Sequence, residues 1–592
     1  MRRLVVVLLA VLIMAGVVYA GEVTFNIAAG WPYPYHGNPF LPGGVGVAWW
    51  LSNEPFAYYV PGSSEWLPRL AEEWETFGNV MKVKIRDDAK WSNGEDVTAD
   101  DIITGYYLTK AMWNSWVFVY AVGKVDDKTV LFVTKREMTP PQKLWILTDV
   151  AFSLAPKSLY GKFLDKAKEV AKIRDEIYSY TSEGKSVPDE LNKKLSEKLD
   201  ALRDELQKFK PWEEYGKLVC DGAYVPTKIR QDVMIFEKNP HHFLAKTTLV
   251  PKVVVYRWSS NEACWAMLMQ GKLDGNHAAS TREIAEQIMK TNPNIKLALP
   301  SDLGEFVVAF NFRKKLFQDI NLRKAMIYAL NRKKVREICY PYGADEDVYA
   351  HGILKTFEKA WLSDELLSKL TKYPYDPKKA EEILKSAGYT KGPDGFWRTP
   401  DGELIEFKIA APAGSSDWVM AAKEIAEQYK KFGFKAEAEL IPNEIYGTRL
   451  RGGEFDVAIE FGAAWWGAGE PWAGYDRIYG ENGYIANVTA FPADKNYDTP
   501  WGPLNPRELA RELIYQTDRE KAKKIVEKLA YITNENLVFI PFLEKRIMIY
   551  YNDGTRVTGW PDPKSPLWTL CPGGIERFYV YMLSTGQLKP VK

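Results

Sequence analysis

The segment Pro68–Asp101 constrains the fold more than any other part of the chain, because it predicts three consecutive elements at close spacing. Met81–Ile85 alternates apolar and polar residues, which is typical of a half-buried strand. Ser92–Gly94 has the composition of a turn in which glycine takes a positive φ. Thr98 is a good helix N-cap, and two acidic residues follow in the first turn. The segment therefore predicts a strand, a turn and a helix.

The same segment resembles a signature of the peptide-type solute-binding proteins of ABC importers (family 5, cluster C). In that family a P-x-L-A-x-x-W segment, a strand of the form K-x-R-x-x-x-x-W-x-x-G and a V-T-A-x-D motif follow one another. Later motifs of the family also have counterparts, and together these cover nearly the whole chain after residue 20: Asp221–Phe243, Asn261–Gly275, Asn311–Arg332, Asp376–Tyr389, Phe455–Val457 and Ile540–Phe542.

The resemblance implies an α/β fold, in agreement with the alternation of short strands and helices that the sequence predicts. It further implies a two-lobed periplasmic binding protein-like architecture (type II, cluster C) with an extra subdomain in the first lobe. Two hinge crossings, near 298–304 and 538–544, would let the lobes close around a solute. The implied boundaries are 21–298 plus 538–592 for the first lobe, about 65–210 for its subdomain, and 299–537 for the second lobe.

One highly charged segment, 162–210, stands apart from these motifs. Its leucines recur at intervals of four, four, three and four, at Leu191, Leu195, Leu199, Leu202 and Leu206, which is the period of an amphipathic helix. With a helix over 164–180 and a turn at 182–184, the segment predicts an antiparallel helical hairpin. We interpret this hairpin as a solvated surface insertion, and a partner-docking arm is the alternative.

The N-terminus, 1–20, has the form of a secretory signal peptide. Arg2 and Arg3 supply positive charge, Leu4–Val18 is the apolar core, and small residues suit cleavage after Ala20. A membrane anchor is the alternative, since about 18 apolar residues nearly span a bilayer. No cysteine lies near the cleavage site, so a lipoprotein is not expected. The sequence therefore predicts a protein secreted to the periplasm.

The charge balance argues against two classes of partner. Lys plus Arg (78) almost equals Asp plus Glu (77), which is untypical of proteins that bind nucleic acid or anionic membranes. The four cysteines are too few for a disulfide scaffold, although one or two bridges remain possible in an oxidising compartment. The resemblance implies instead a small-molecule solute and the membrane subunits of an ABC permease as partners, and we expect a monomer.

No catalytic or cofactor motif is present in the sequence. The five histidines lack metal-ligand spacing, a G-x-S-x-G elbow is absent, and Gly184-Lys185-Ser186 lacks the first glycine of a phosphate loop. We therefore predict a protein that is not an enzyme and holds no metal or cofactor. A carbohydrate hydrolase is the alternative, because two carboxylates at a suitable separation would suffice for it.

Aromatic residues bear on the ligand, since the chain contains 21 Trp, 33 Tyr and 26 Phe. Several cluster in predicted loops, where a ring can stack on the apolar face of a sugar. Acidic and amide side chains near them can pair with sugar hydroxyls. The predicted ligand-binding residues are Trp31, Tyr33, Trp49, Trp50, Trp113, Trp116, Trp465, Trp466 and Trp472, with Glu460, Glu470 and Asn311 as polar partners.

One departure from the family bears on ligand class. Peptide-binding members commonly read Y-D-V-x-x-x-x-W-x-x-D near here, and the last Asp pairs with the α-ammonium of the ligand. With Asp456-Val457 in register, Trp465 replaces that Asp. A buried ammonium without a counter-charge is expensive, so the sequence favours a short β-linked oligosaccharide, such as a cello- or manno-oligosaccharide. Glu460 or Glu470 as a displaced anchor keeps an oligopeptide or dipeptide as the alternative.

We predict that the mature protein begins at Gly21 and is recovered in a soluble periplasmic extract, because the apolar segment ends in small residues that suit signal cleavage. Intact-mass spectrometry of the secreted protein tests this. A retained N-terminus or a lipidated cysteine would contradict it.

Overall fold

The computed structural model describes residues 23–150, 154–182, 185–216, 218–344, 348–466, 468–481, 483–570 and 575–591. The predicted signal peptide lies outside the described residues. Within them, no helix is both long enough and apolar enough to cross a membrane. Three large sheets carry helices around them, so the fold is mixed α/β, as the sequence predicts.

The first sheet has seven strands and takes them from both ends of the chain. Thr24–Ala29 pairs in parallel with Lys252–Arg257 on one side and with Gly275–Asn276 on the other. The inward-facing Phe25 is fully buried and packs edge-on against Tyr579, 5.1 Å between ring centroids. In sheet order the strands are Ile295–Ala298, Ile549–Asn552, Gly275–Asn276, Thr24–Ala29, Lys252–Arg257, Val233–Lys238 and Tyr224–Ile229.

The second sheet has five strands, in the order Lys435–Ile441, Glu406–Pro412, Val457–Ala464, Ser301–Phe310 and Phe539–Arg546. The sequence analysis assigned all of 538–592 to the first lobe, but Phe539–Arg546 belongs to this second sheet. It does so because it pairs antiparallel with Ser301–Phe310, so that the two crossing segments satisfy each other's backbone hydrogen bonds. The chain rejoins the first sheet at Ile549–Asn552. The lobe boundaries themselves stay a prediction.

The third sheet is antiparallel and contains the two strands of the Pro68–Asp101 segment that follow Leu70. Its four strands, in order, are Ala71–Phe77, Val80–Ile85, Thr129–Thr134 and Val119–Asp126. A turn at Ser92–Gly94 leads to the helix Ala99–Trp113, and Gly94 has a φ of 91°. The Thr98 backbone N–H and hydroxyl both donate to Asp101 Oδ2, at 2.8 and 3.0 Å. The predicted strand, turn and capped helix are confirmed.

A buried ion cluster fixes the start of this segment. Arg69 donates to both carboxylate oxygens of Glu54, at 2.7 and 2.6 Å, and to the hydroxyl of Ser584. His242 Nε2 lies 3.0 Å from Glu54 Oε1. Burial opposes the ionisation of Glu54, but Arg69 and His242 outweigh it and lower its pKa to about 2. The arginine of the PRLAEEW segment therefore has a structural role, because loss of one partner would leave a buried charge unpaired.

The remaining elements connect or cover the sheets. Short paired strands are Ala57–Val60 with Glu65–Pro68, Thr390–Lys391 with Trp397–Arg398, and Val557–Thr558 with Lys589–Pro590. Helices outside 301–546 are Val47–Ser52, Ala99–Trp113, Pro140–Asp149, Lys157–Tyr160, Gly161–Phe163, Leu164–Ser182, Asp189–Gln207, Pro211–Tyr215, Asn261–Met269, Arg282–Thr291, Pro566–Leu570 and Ile575–Ser584. Helices within 301–546 are Lys315–Gln318, Ile320–Ala329, Arg332–Cys339, Lys355–Phe357, Glu358–Trp361, Asp364–Lys369, Pro377–Ser386, Ser416–Phe432, Asn443–Arg451, Pro471–Tyr479, Tyr484–Thr489, Pro506–Ile514 and Arg519–Asn536.

The charged segment forms the predicted helical hairpin, with helices Leu164–Ser182 and Asp189–Gln207. Ion pairs Lys166–Glu205 and Lys198–Glu169 join the two helices and show that they run antiparallel. The hairpin is more than a solvated insertion. Its apolar face shares a buried core with the rest of the chain, formed by Ala167, Val170, Leu202, Leu206, Phe40, Leu41 and Leu108.

Three of the four cysteines lie in the described part of the chain. Cys220, Cys264 and Cys339 are buried free thiols that form no disulfide with one another. Burial raises the pKa of Cys220 and of Cys264 to about 12, so these two thiols stay protonated at neutral pH. Cys571 lies outside the described residues.

We predict that Leu202→Ala destabilises the protein, because Leu202 is fully buried in the core that the hairpin shares with Phe40 and Leu108. The expected loss in the free energy of unfolding is about 2–5 kcal/mol, the usual range for truncating a buried leucine. Denaturant unfolding followed by circular dichroism measures it. Leu195→Ala, at a partly buried position of the same helix, should cost less. Equal, small losses at both positions would contradict the shared core.

Candidate functional site

The candidate site is a cavity of about 440 Å³ at the junction of the first and second sheets. Three parallel strands of the first sheet end there, and the residues that follow them, Gly30, Trp258 and His277, line it. The crossing strands add Asp302 and Lys545. Ligands of open α/β sheets bind in such a crevice at the carboxyl ends of parallel strands. The remaining lining residues are Ala28, Ala29, Phe461, Trp466, Ile547, Ile575 and Glu576.

Aromatic rings face this cavity from both sheets. Trp258 follows a strand of the first sheet, while Phe461 and Trp466 come from the central strand Val457–Ala464 of the second sheet and the turn after it. The Phe461 and Trp466 rings pack edge to face, 4.9 Å between centroids, and the Arg477 guanidinium lies 5.3 Å from the Trp466 centroid. Trp466 is half-buried, and its indole N–H has no hydrogen-bond partner in the described part of the chain.

This arrangement depends on a glycine in the neighbouring strand. A Cβ atom at Gly304 would lie 2.8 Å from the Phe461 ring and 3.4 Å from Trp466 Nε1. A side chain there would push both rings out of their present positions. The close approach of strand and rings is the reason that glycine is required at this position.

Charged groups line the base of the cavity. Lys545 Nζ lies 3.6 Å from Asp417 Oδ2 and 4.0 Å from Asp302 Oδ2. Burial raises the pKa of Asp302 to about 6 and also raises the pKa of Asp417, while Lys545 opposes both shifts. Burial likewise raises the pKa of Glu576. The cavity therefore offers carboxyl groups that can accept or donate hydrogen bonds, beside one ammonium group.

His277 is the one histidine that lines this cavity, where its side chain is exposed. Desolvation inside the cavity lowers the pKa of His277, and repulsion by the Lys545 ammonium lowers it further. The imidazole is therefore neutral at pH 7, and it can donate one hydrogen bond and accept another. In the sequence, His277 is only one of five histidines without metal-ligand spacing. Its position at the end of a strand beside the cavity depends on the strand order.

Trp466 is the one predicted site residue that lines this cavity. Its neighbour Trp465 does not, because it is fully buried in the core of the second sheet, with its ring 5.1 Å from that of Phe357. The Trp465 backbone N–H donates to the carbonyl of Leu303, and its indole N–H has no hydrogen-bond partner among the described residues. The structure therefore places Trp465 outside this cavity, and its stacking on a ligand stays a prediction. Trp465 packs in the core at the position where peptide-binding members carry the aspartate that pairs with the ligand's ammonium.

Glu460 and Asn311 are also structural rather than cavity-lining. The Glu460 carboxylate accepts hydrogen bonds from the Tyr484 hydroxyl, at 3.0 Å, and from the Phe461 N–H, at 2.9 Å, within the second sheet and its helices. The Asn311 amide donates to the carbonyls of Gly453 and Phe455. Both side chains are buried, so neither is placed as a displaced anchor in this cavity.

Glu470 and Trp472 line a different cavity, of about 480 Å³, which also contacts the helix Pro140–Asp149. Burial raises the pKa of Glu470, and Arg519, 3.6 Å away, opposes this shift. Trp472 packs edge-on against Trp145, 5.0 Å between ring centroids. Trp145 precedes the crossing strands, and Trp472 lies in a helix between them in the chain. This pair therefore joins the two parts of the chain that the crossing strands divide.

The aromatic candidates of the first sheet and its subdomain lie elsewhere. Trp31 is in the core and its indole N–H donates to the carbonyl of Arg230, at 3.2 Å. Trp49 is buried, and Trp50 lies beneath the Arg577 guanidinium, 3.9 Å from its centroid. Tyr33 is half-exposed at the surface. The two remaining candidates, Trp113 and Trp116, line a third cavity.

Sequence reasoning missed Trp258, Asp302, Lys545 and Glu576. A usable signal exists only for Trp258, which follows the apolar run Val253–Tyr256 after one residue. The other three lie at positions that the sheet pairing brings together from distant parts of the chain.

A match to a known family covers most of the chain. Residues 65–486 match the bacterial extracellular solute-binding proteins, family 5, middle region. The chain belongs to this family. It is therefore a solute-binding protein of an ABC importer, as the sequence motifs predict, and such proteins bind solutes rather than transform them.

Relatives of this family 5 protein carry different ligands in their names. Heme-binding protein A of Haemophilus influenzae is 23% identical over 500 residues, which cover 81% of this chain and 79% of the relative. The dipeptide-binding protein of Escherichia coli is 24% identical over 356 residues, and the match covers 56% of each chain. The match thus spans little more than half of the dipeptide-binding protein.

Two solved structures share the fold across almost the full length. A periplasmic oligopeptide-binding protein of Thermotoga maritima, with mannohexaose bound, has a TM-score of 0.74 at 22% identity and covers 97% of this chain and 99% of its own. The oligopeptide-binding protein AppA of Bacillus subtilis, in complex with a nonapeptide, has a TM-score of 0.67 at 17% identity, with 96% and 100% covered. The likeness confirms the predicted two-lobed periplasmic binding protein fold.

We predict that Asp302→Asn raises the melting temperature at pH 7.5 and changes it less at pH 4.5. The folded-state pKa of Asp302 is about 6, above its ordinary value of 3.8. The stability that the protonated form contributes is therefore fully present below about pH 4 and is lost as the pH rises through about 6. Asparagine resembles the protonated form at every pH.

Differential scanning fluorimetry at the two pH values measures this difference. Asp498→Asn, at an exposed position, is the matched control and should change the melting temperature little at either pH. An equal shift at both pH values for Asp302→Asn would contradict the assigned burial effect.

Proposed function

We propose that this protein is a non-enzymatic receptor of an ABC importer and that it binds a short β-linked oligosaccharide in the cavity between the two sheets. The observation that carries the proposal is that aromatic rings from both sheets, Trp258 and Trp466, line one cavity together with the buried carboxyl groups of Asp302 and Glu576. Sugars present apolar C–H faces for stacking and a rim of hydroxyls for hydrogen bonds, and this cavity offers both kinds of partner.

The size and lining of the cavity support this proposal. Its volume of about 440 Å³ lies within the range of small-molecule sites. The Lys545 ammonium lies close to both Asp302 and Asp417 and offsets part of their charge. The indole N–H of Trp466, which has no hydrogen-bond partner among the described residues, is a donor that a sugar oxygen can use.

The departure at position 465 points in the same direction. Where peptide-binding members of the family carry an aspartate for the ligand's ammonium, this chain buries a tryptophan in its core. That a relative of the same fold holds mannohexaose supports the idea that such a cleft accommodates a glycan.

An oligopeptide is the second candidate ligand, and the acidic lining favours it. Glu576 and Asp302 both line the cavity, and either one, when ionised, would pair with a peptide ammonium. Burial raises the pKa of both groups, which makes their ionised forms costly unless a ligand cation is present. Many named relatives bind peptides.

The wider setting follows from the family and the N-terminal sequence. We propose a periplasmic protein, released by signal cleavage after Ala20, that acts as a monomer and delivers its solute to a membrane permease. Closure would use the crossing strands Ser301–Phe310 and Phe539–Arg546 as hinges.

We predict that Trp466→Ala weakens oligosaccharide binding by about tenfold or more, by analogy with nucleic acid bases stacked on aromatic side chains, where loss of one ring costs about 1–3 kcal/mol. Isothermal titration calorimetry with cello- and manno-oligosaccharides, and with di- to pentapeptides, measures this. Trp501→Ala removes an exposed tryptophan that packs on Tyr531, away from the cavity lining, and should leave affinity unchanged.

Binding of peptides alone by the wild type would contradict the proposal. Glu576→Gln and Asp302→Asn would then identify the residue that pairs with the ammonium. Normal glycan binding by Trp466→Ala, with the fold intact by circular dichroism, would contradict the role of Trp466.

A further inference from the structure

A third cavity, of about 470 Å³, lies wholly within the part of the chain that precedes the crossing strands. The site in the cleft does not use it. Its lining comes from 39–45, from the end of the helix Ala99–Trp113 and the loop after it, and from the helix Pro140–Asp149. Four aromatic side chains line it: Trp113, Trp116, Phe118 and Trp145.

Three of these rings form a connected wall. Trp116 and Phe118 have ring centroids 5.9 Å apart, and Phe118 and Trp145 have centroids 5.3 Å apart. Trp113 is 45% exposed, yet it is held in place, because its indole N–H donates to the carbonyl of Pro39 at 3.3 Å. An exposed ring with a fixed edge offers a face for stacking at little entropic cost.

The backbone of the lining loop is strained, and such strain is common at ligand-binding sites. Asn114 has a φ of 53° and Trp116 a φ of 62°, both in the left-handed region. This region is unfavourable for a bulky residue such as tryptophan, and it persists where the surrounding structure demands it, often at ligand sites. The strained conformation is what places the Trp116 ring beside Phe118 and Phe132, 6.4 Å away.

A polar group without a partner gives a second and independent indication. Thr109 lines the cavity and is only 5% exposed, and its hydroxyl has no hydrogen-bond partner within the described ranges. Asp149 also lines the cavity. Burial raises the pKa of Asp149, which Arg577 opposes. A ligand hydroxyl would satisfy the buried Thr109 oxygen, whose desolvation is otherwise uncompensated.

One element separates this cavity from the cleft. Glu576 lines the cleft cavity, and the next residue, Arg577, acts on Asp149 of the third cavity. Consecutive Cα atoms are about 3.8 Å apart, so the start of the helix Ile575–Ser584 faces both. The Arg577 guanidinium covers Trp50, and its Nε has no hydrogen-bond partner in the described residues.

We propose that the third cavity is a second sugar-binding subsite, which stacks one neutral pyranose ring of an oligosaccharide whose other end lies in the cleft. This inference rests on the proposed glycan ligand and adds to it a requirement on length. Trp113 supplies the stacking face, and the Thr109 hydroxyl and the Asp149 carboxyl pair with ring hydroxyls. A disaccharide fills the cleft alone, while a longer glycan passes the start of the helix Ile575–Ser584 and reaches the third cavity.

The test is calorimetric titration of the mature protein with β-1,4-linked manno- and cello-oligosaccharides of two to six units. Trp113→Ala should weaken the binding of hexasaccharides by about tenfold and leave disaccharide affinity unchanged, since only one stacking ring is lost. Tyr120→Ala, at a 68% exposed aromatic position of the same region, is the matched control and should change neither affinity.

A second variant keeps the shape of the cavity. Thr109→Val removes the hydroxyl without changing the volume much, and it should weaken hexasaccharide binding about threefold or more while the melting temperature stays the same or rises. A purely structural role of Thr109 would instead lower the melting temperature and leave the dependence on glycan length unchanged.

Two outcomes would overturn the inference while leaving the proposed function intact. One is unchanged hexasaccharide affinity in Trp113→Ala, when Trp466→Ala still loses binding at every length. The other is an equal loss for disaccharide and hexasaccharide in Trp113→Ala, which would place this ring in the cleft subsite. If the wild type binds no glycan of any length, both the inference and the proposed function fail.

Discussion

The rest of the structure depends on two neighbouring strands that cross between the sheets. Ser301–Phe310 and Phe539–Arg546 pair antiparallel, and the residues at their ends form the base of the cleft. Lys545 on one strand lies between Asp302 on the other and Asp417, and its ammonium is 4.9 Å from the Phe306 ring centroid. Without this ammonium, the two buried carboxyl groups would lose the positive charge that offsets part of theirs. The crossing strands therefore affect both the charge of the cleft and the stability of the protein.

Helices on the two sides of the crossing strands also contact each other directly. Trp145 packs on Trp472, and the Tyr178 hydroxyl of the helical hairpin lies 3.1 Å from the Tyr515 hydroxyl. The hairpin thus contacts the part of the chain between the crossing strands. Protein contacts therefore join the two sides of the crossing strands in this structure.

Local features were predictable wherever neighbouring residues alone decide the conformation. The strand, turn and capped helix of Pro68–Asp101 follow from alternation, from Gly94 and from Thr98, and all are present. The hairpin follows from its leucine period. Its contribution to a buried core with Phe40 did not, because periodicity identifies an apolar face but not the surface that covers it. The same limit explains why tryptophans such as Trp31, predicted in loops, lie in the core.

The sequence by itself determined the family, the mixed α/β fold, the local elements and the loss of an acidic residue at position 465. Only the tertiary structure decided that Trp465 fills a core while Trp466 lines the cleft, because adjacent side chains diverge and the packing of the second sheet determines which one is buried. It also decided that Trp258 and His277 meet Lys545. Parallel strands bring their carboxyl ends together only once the strand order is established, and that order depends on pairing between distant segments.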